Sequence, residues 1–358
     1  MRIVIINSGL RGIASYCFNL YKYLTKRNHQ VLLISESKWY KEKIPIYEAK
    51  SIKIFGVASL VYEPDKVIEE IRKFNPDIIH HHFASGTFDF LFGKIVALKK
   101  PTVMTVHLSI DSKKQFFDIS LFIHFMIFKR FLKNIDKIIS ISRFIKKQIQ
   151  KTTDYNPKNN VVIYAGVDLK IFRPTKRKKS KTLSLIYVGQ IMPEKGVDVL
   201  IDSVIEARKK IDVTLTLVGN GHLKPLLQRK TKGKEYIKWV GFVKTQKEIA
   251  AYYSKADITV LPTRWDEAFS LVPVESIACG TPVLATKKGG TPEIVVEEKT
   301  GHLIKSCIKK ELTKAIISLD KKKLEKMRKN CRKTARQKYS LEKWGRKHEI
   351  LYADLLKK

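Results

Sequence analysis

Short apolar runs recur along the chain, bounded by glycine-bearing turns and separated by stretches of helical period. Ile3–Ile6 reads as a buried strand. The turn Ser8-Gly9-Leu10-Arg11-Gly12 follows, then a helix through Leu24. Further strands are expected at Val31–Ser35, Asp77–His80, Thr102–Val106, Ile138–Ser140 and Val161–Tyr164. The series restarts at Leu183–Val188, with Gly189 as a turn and Gly196–Lys210 as a helix. Thr214–Val218, the turn Gly219-Asn220-Gly221, Ile258–Leu261 and Pro282–Ala285 continue it. Strands alternating with helices predict parallel sheets covered on both faces. The pattern therefore predicts two tandem doubly wound α/β domains, with the lysine-rich stretch Pro174–Lys181 as linker. Ligands of such sheets lie beyond the carboxyl ends of the strands. Two such sheets facing each other would place a site in the cleft between them.

A length of 358 residues fits two domains, each able to bury its own core. The division expected is residues 1–170, residues 171–339, and a last helix over 340–358 with one apolar face (Leu341, Trp344, Ile350, Leu351, Leu355). With 44% hydrophobic residues, disorder is excluded. The charge changes the picture more. Lys and Arg number 70 against 34 Asp and Glu, a formal +36 spread over both halves. Such a field attracts nucleic acid, anionic headgroups or phosphorylated glycans. The plain alternative is a lysine-rich solvated surface. Cys17, Cys279, Cys307 and Cys331 are far apart with no Cys-x-x-Cys, which suits a reducing cytosol. The apolar run after Met1 is too short for a signal peptide, and no window reaches the roughly 18 apolar residues of a membrane span.

The densest chemistry lies in DEAFSLVPVESIACGTPVLAT, residues 266–286. Seven residues separate Glu267 from Glu275. A strand ends near Leu261, a loop carries Glu267, and a helix opens near Leu271 with Pro273 in its first turn and Cys279-Gly280 at its end. Its N-terminal amides suit a phosphate. The two carboxylates, one in the loop and one on the helix, can reach different hydroxyls of one ligand. Read singly, Glu267 is a helix-start acid and Glu275 a solvated one.

This stretch closely resembles the Glu–seven–Glu signature of glycosyltransferase family 4, and the resemblance runs along nearly the whole chain. It takes in the opening strand and glycine loop, Asn75-Pro76-Asp77-Ile78-Ile79-His80, Val162-Ile163-Tyr164-Ala165-Gly166-Val167-Asp168, Val188-Gly189-Gln190, Glu194-Lys195-Gly196 and Gly290-Thr291-Pro292-Glu293-Ile294. The resemblance implies a GT-B fold: two Rossmann-like domains facing across a cleft, the first on the acceptor side, the second binding the nucleotide sugar, and the last helix returning to the first domain. It implies a retaining, metal-independent hexosyltransferase that uses a nucleotide-diphosphate sugar, UDP-linked by preference. The acceptor would be a glycan or lipid-linked molecule of cell-envelope polysaccharide or glycolipid synthesis. Glu275 is expected on the donor ribose and Glu267 on the donor sugar. Lys195 is expected on the diphosphate, with the backbone around Phe269, Ser270 and Leu271 on sugar hydroxyls and phosphate. Gly9 and Gly12 let the N-terminal loop approach the donor phosphate or the acceptor closely, and Gly189 is expected to bind the donor. His107 matches a residue that contacts the donor sugar, its alternative being a packed strand-end histidine. The base pocket is expected near Gly241-Phe242-Val243, with Val243 in contact. Relatives commonly carry Arg where this chain has Gln190; either Arg264 or Arg11 offsets the missing cation or the donor sits differently.

No Asp-x-Asp motif for a cation occurs, so no cofactor and no metal are expected. The diphosphate's charge would be met by Lys195 and main-chain amides. His80-His81-His82 alternate faces on a strand and would not converge on a metal; packing and cleft-lining roles are expected of them. Phe116–Leu132, FFDISLFIHFMIFKRFL, reads either as a buried helix or as a segment lying on an anionic membrane, so a cytoplasmic chain peripheral to the inner membrane face is expected. A glycan phosphorylase or sugar-phosphate-forming synthase shares the architecture. A basic nucleic-acid-binding protein or a non-catalytic relative is the reading from another class. No nucleic-acid signature accompanies the charge, and nucleic acid is not expected as a partner.

Overall fold

The computed structural model describes residues 1–7, 12–35, 46–49, 51–54, 58–61, 63–84, 91–109, 119–177 and 180–357. The chain divides into two compact units, one of Met1–Ala165 with Glu342–Lys358, the other of Gly166–Leu341.

The first unit holds a seven-stranded sheet. Its strands are β1 (Arg2–Asn7), β2 (Gln30–Ser35), β3 (Ile46–Glu48), β6 (Ile78–Phe83), β7 (Thr102–Val106), β8 (Lys137–Ser140) and β9 (Asn160–Val162), in the order β3-β2-β1-β6-β7-β8-β9. Every pairing is parallel. β4 (Ser51–Ile54) and β5 (Ala58–Val61) form a separate antiparallel pair. β1 and β6 are buried along almost their whole length, because helices cover both faces of a parallel sheet. Val4, Ile6, Ile34, Ile71 and Ile79 lie in the core on one face.

β6 runs to Phe83, three residues beyond the expected end at His80. The polar run His80-His81-His82 hides a strand that is fully buried. As alternation requires, His80 and His82 share a face and stack at 4.2 Å, while His81 faces Phe92.

The second unit holds β10 (Leu183–Val188), β11 (Val213–Val218), β12 (Ile237–Gly241), β13 (Ile258–Leu261), β14 (Val283–Thr286) and β15 (Gly301–Ile304), in the order β12-β11-β10-β13-β14-β15. These are parallel throughout. The order reverses between β10 and β13, which makes the carboxyl ends of these two neighbours the switch point, where doubly wound sheets bind ligands. The expected helix over Gly196–Lys210 spans Val197–Arg208, and a 3₁₀ turn, Pro193–Lys195, precedes it. The closing helix, Leu341–Leu356, packs on the first unit's Gly12–Lys26 helix through Trp344, Gly345 and His348.

Of the segment 116–132, residues 116–118 lie outside the described residues, and the rest forms the helix Ile119–Phe131 and the start of a 3₁₀ turn. Phe128 is buried against Phe83 at 5.0 Å and Phe131 meets Phe92 at 5.8 Å. Met126, Lys129 and Arg130 face outward. Among the described residues no helix is long and apolar enough to cross a membrane.

Candidate functional site

Two loops meet at the switch point of the second sheet. One leaves β10 through Gly189 and Gln190; the other leaves β13 through Pro262 and Thr263. Backbone bonds join them. The Glu194 carbonyl accepts from the Arg264 amide at 2.8 Å and from the Thr263 hydroxyl at 3.3 Å. Gly196 lies so near the Pro262 carbonyl that a Cβ would come within 2.0 Å of its oxygen. This lacing brings Lys195, at the end of its 3₁₀ turn, opposite Glu267.

Lys195 Nζ donates to Glu267 Oε1 at 2.5 Å, with the two side chains 18% and 11% exposed. The same carboxylate oxygen accepts from the Trp265 indole N–H at 3.3 Å, and the ammonium lies 5.1 Å from the indole centroid. Trp265 thus holds both partners, one by its edge and one by its face. Tyr187 donates to the Gln190 carbonyl at 2.6 Å and ties down the turn after β10. Its phenol is pushed well above the usual value, by burial first and by the nearby negative charge of Glu267 second.

Beyond Glu267 the chain enters the helix Leu271–Ala278, with Ser270 as an N-cap whose side chain makes no capping bond. Glu275 sits on this helix and accepts from the Tyr253 hydroxyl at 3.0 Å. Burial lifts its carboxyl to about 7, and the Tyr253 bond opposes that only in part. Burial thus favours its protonated form. Phe269 lies beside Tyr339, ring centroids 6.3 Å apart. Gly189 follows β10 directly, Gln190 is exposed, and Val243 is half-buried just past β12 beside the exposed Phe242.

The first unit holds the rest of the expected residues. Gly9 and Arg11 lie outside the described residues. Gly12 opens the Gly12–Lys26 helix, and a Cβ there would meet no atom of the described residues within 4 Å. His107 follows β7, and its Nε2 lies 2.9 Å from His82 Nδ1. Burial lowers it to about 3, so it is neutral at physiological pH. Arg264, expected as one way to offset the arginine absent at Gln190, is already paired. Its guanidinium is taken by Asp198 at 2.7 Å and by the Pro193 carbonyl, which pins the two loops to each other.

Trp265, Tyr187, Tyr253 and Gly289 escaped the sequence reading. Trp265 is two residues from Glu267, and a tryptophan so near an expected sugar ligand was the available signal. Among the described residues no group of three or more His, Cys, Asp or Glu side chains is arranged to hold a metal ion.

Two doubly wound parallel sheets in one chain, with this pair at the switch point of the second, define a GT-B-type transferase. The chain belongs to glycosyltransferase family 4. Residues 10–171 match Glycosyltransferase Family 4, and residues 168–338 match Glycosyl transferases group 1. An uncharacterized glycosyltransferase of Methanocaldococcus jannaschii is 32% identical over 86% of this chain and 84% of its own length. A glycosyltransferase structure from Rickettsia africae superposes with a TM-score of 0.79 at 22% identity, covering 99% and 98% of the two chains. The Anabaena HepE protein in complex with UDP gives 0.78 at 21% identity, covering 99% of each chain.

Proposed function

We propose that this glycosyltransferase moves a hexose-type sugar from a UDP-sugar to a glycan or lipid-linked acceptor, with retention of anomeric configuration and without a metal ion. The observation that carries the reading is the Lys195–Glu267 pair held by Trp265 at the β10–β13 switch point. A cation poised there, beside the N-terminus of the Leu271–Ala278 helix, suits a diphosphate. The solved structure of Anabaena HepE with UDP-glucose supports a uridine donor.

In the reaction proposed, the bond from sugar C1 to the β-phosphate oxygen breaks while the acceptor oxygen bonds to C1. The electron pair of the broken bond stays on the diphosphate, and the acceptor's proton passes to a phosphate oxygen on the same face. Lys195 and main-chain amides meet the growing negative charge. Glu267, released from Lys195 as the diphosphate takes the ammonium, accepts from sugar hydroxyls. Glu275 accepts from the ribose. His107, neutral, offers a hydrogen bond to the sugar.

The test is turnover with UDP-, GDP- and ADP-sugars in the presence of a chelator, for wild type and for Lys195→Ala and Glu267→Ala. The reading expects turnover of a UDP-sugar without metal, reduced in each variant by about 10²–10³-fold. Wild-type rates in both variants, or strict dependence on magnesium or manganese, would overturn it.

A further inference from the structure

One concentration of positive charge in the second unit lies away from the β10 and β13 loops. The helix Lys321–Lys338 carries ten Lys and Arg against the single carboxylate of Glu325. Arg328, Arg332 and Arg336 recur every four residues and so share one face, with Lys329 and Lys333 at its edge. These five cations line a cavity of about 560 Å³, and among the described residues no carboxylate lines it.

Two of the five are built into the fold. Arg328 donates to the carbonyls of Ala256 and Ser254, both at 3.0 Å, at the end of the Gln246–Lys255 helix. Arg332 donates to the carbonyls of Phe172 and Ala278 at 2.7 Å and of Leu169 at 3.0 Å. Carbonyls satisfy their N–H groups but leave a full positive charge on each. Both guanidinium groups are held below their usual value. Burial is the first cause, and the second is the charge of Arg177 for Arg328 and of Arg336 for Arg332. Lys329, Lys333 and Arg336 are exposed and, among the described residues, have no carboxylate partner. An ordinary solvated face intersperses both signs. Here five like-charged side chains surround one hollow, walled mostly by their aliphatic stems, and two of the five are fixed by backbone carbonyls.

We infer that this cavity binds a phosphate-bearing anion, a phosphate mono- or diester, at a site separate from the one proposed for the sugar donor. The rigid arginines set its position, and the three outer cations close on it. The inference stands whether or not the donor assignment holds, because none of these residues belongs to the β10 or β13 loops.

The full chain is titrated with inositol hexakisphosphate in solution, and is sedimented with vesicles of phosphatidylglycerol in phosphatidylcholine and of phosphatidylcholine alone. The variant Lys329→Gln/Lys333→Gln/Arg336→Gln removes the outer cations and leaves Arg328 and Arg332 on their carbonyls. Lys322→Gln/Lys323→Gln/Lys326→Gln removes the same charge from the same helix at positions that do not line the cavity. The first variant is expected to lose affinity on the order of 100-fold, at about tenfold or somewhat less per cation, and the second only a few-fold. Both should keep the wild-type melting temperature in ligand-free buffer. Binding of the soluble probe assigns the site to free phosphate esters, and binding of anionic vesicles alone assigns it to headgroups. Equal loss in the two variants, unchanged binding in the first, or no binding of either probe by wild type overturns the inference.

Discussion

Gly289 lies against the backbone of Glu267: a Cβ on Gly289 would stand 2.1 Å from the Glu267 carbonyl oxygen and 2.6 Å from its amide nitrogen. That carbonyl accepts from the Gly290 amide at 2.7 Å, and Asp266 Oδ1 accepts from the Gly289 amide at 3.1 Å. Glu267 is therefore positioned from below by the turn after β14 as well as from the side by Lys195 and Trp265.

Gly289→Ala is accordingly expected to move Glu267. The residue has φ +52, and backbone rather than a flexible side-chain tip occupies the space for a Cβ. Overpacking of this kind costs about 1–3 kcal/mol. Sugar transfer should fall at least tenfold, with a lower melting temperature. An alanine variant with wild-type activity and melting temperature would contradict this account of the loop.

Glu275 gives a pH dependence of opposite sign to that of ordinary paired carboxylates. Its folded value of about 7 lies above the ordinary 4.5, so the folded chain keeps a proton that the unfolded chain releases. Its contribution to stability therefore falls as pH rises from about 4.5 through 7. Glu275→Gln removes the ionisation and retains a partner for the Tyr253 hydroxyl. The variant should gain melting temperature over wild type at pH 8, with the gain fading towards pH 5. Melting curves across that range measure it, and a constant difference between the two proteins would refute it.

The carboxylates of the second unit were legible because their spacing and the helix start between them are local. Lys195 was legible through its motif. The clamp of Trp265 on Lys195 was not, because it depends on two loops that are neighbours only where the sheet order reverses. For the same reason Arg264 read as a free cation, although Asp198 occupies it from the Val197–Arg208 helix. In the first unit alternation placed His80 and His82 on one face. What they touch was hidden, since the Tyr352 hydroxyl that meets His80 Nδ1 at 2.5 Å comes 272 positions later.

That histidine array makes the closing helix sensitive to acid. His348 Nδ1 faces the Trp344 carbonyl at 2.9 Å and must donate to it, so His348 Nε2 accepts from the Tyr16 hydroxyl at 3.1 Å. Tyr16 in turn accepts from the Trp344 indole at 2.9 Å. The ring is thus neutral, and burial lowers it to about 4. His80 and His82 are lowered well below the usual range by burial, and His107 to about 3. The unfolded chain takes up protons below about 6.5 that the folded unit refuses, so stability present above that pH is lost as pH falls towards 4. Hydrogen exchange over Leu341–Leu356, corrected for intrinsic rates, should lose protection between pH 6.5 and 5. Undiminished protection over that interval would count against it.

The same helix carries a glycine whose replacement separates propensity from packing. In an open helix Gly→Ala stabilises by about 1 kcal/mol. At Gly345 the added Cβ would stand 2.4 Å from Tyr23 Cγ and 2.5 Å from both flanking ring carbons. These atoms are the root of the ring, not its tip, and Tyr23 is itself buried. The Leu341–Leu356 helix would have to lift from Gly12–Lys26. Lifting would strain the bonds from Glu349 to Arg27 at 3.1 Å and His29 at 2.9 Å, and the Trp344–Tyr16 bond. Overpacking of about 1–3 kcal/mol exceeds the propensity gain, so Gly345→Ala should destabilise the first unit. Alanine at the exposed Ile350 of the same helix supplies the reference for a change without overlap. Denaturant unfolding followed by hydrogen exchange over Leu341–Leu356 measures the difference, and a Gly345→Ala midpoint at or above wild type would show that the helix is not held against Tyr23.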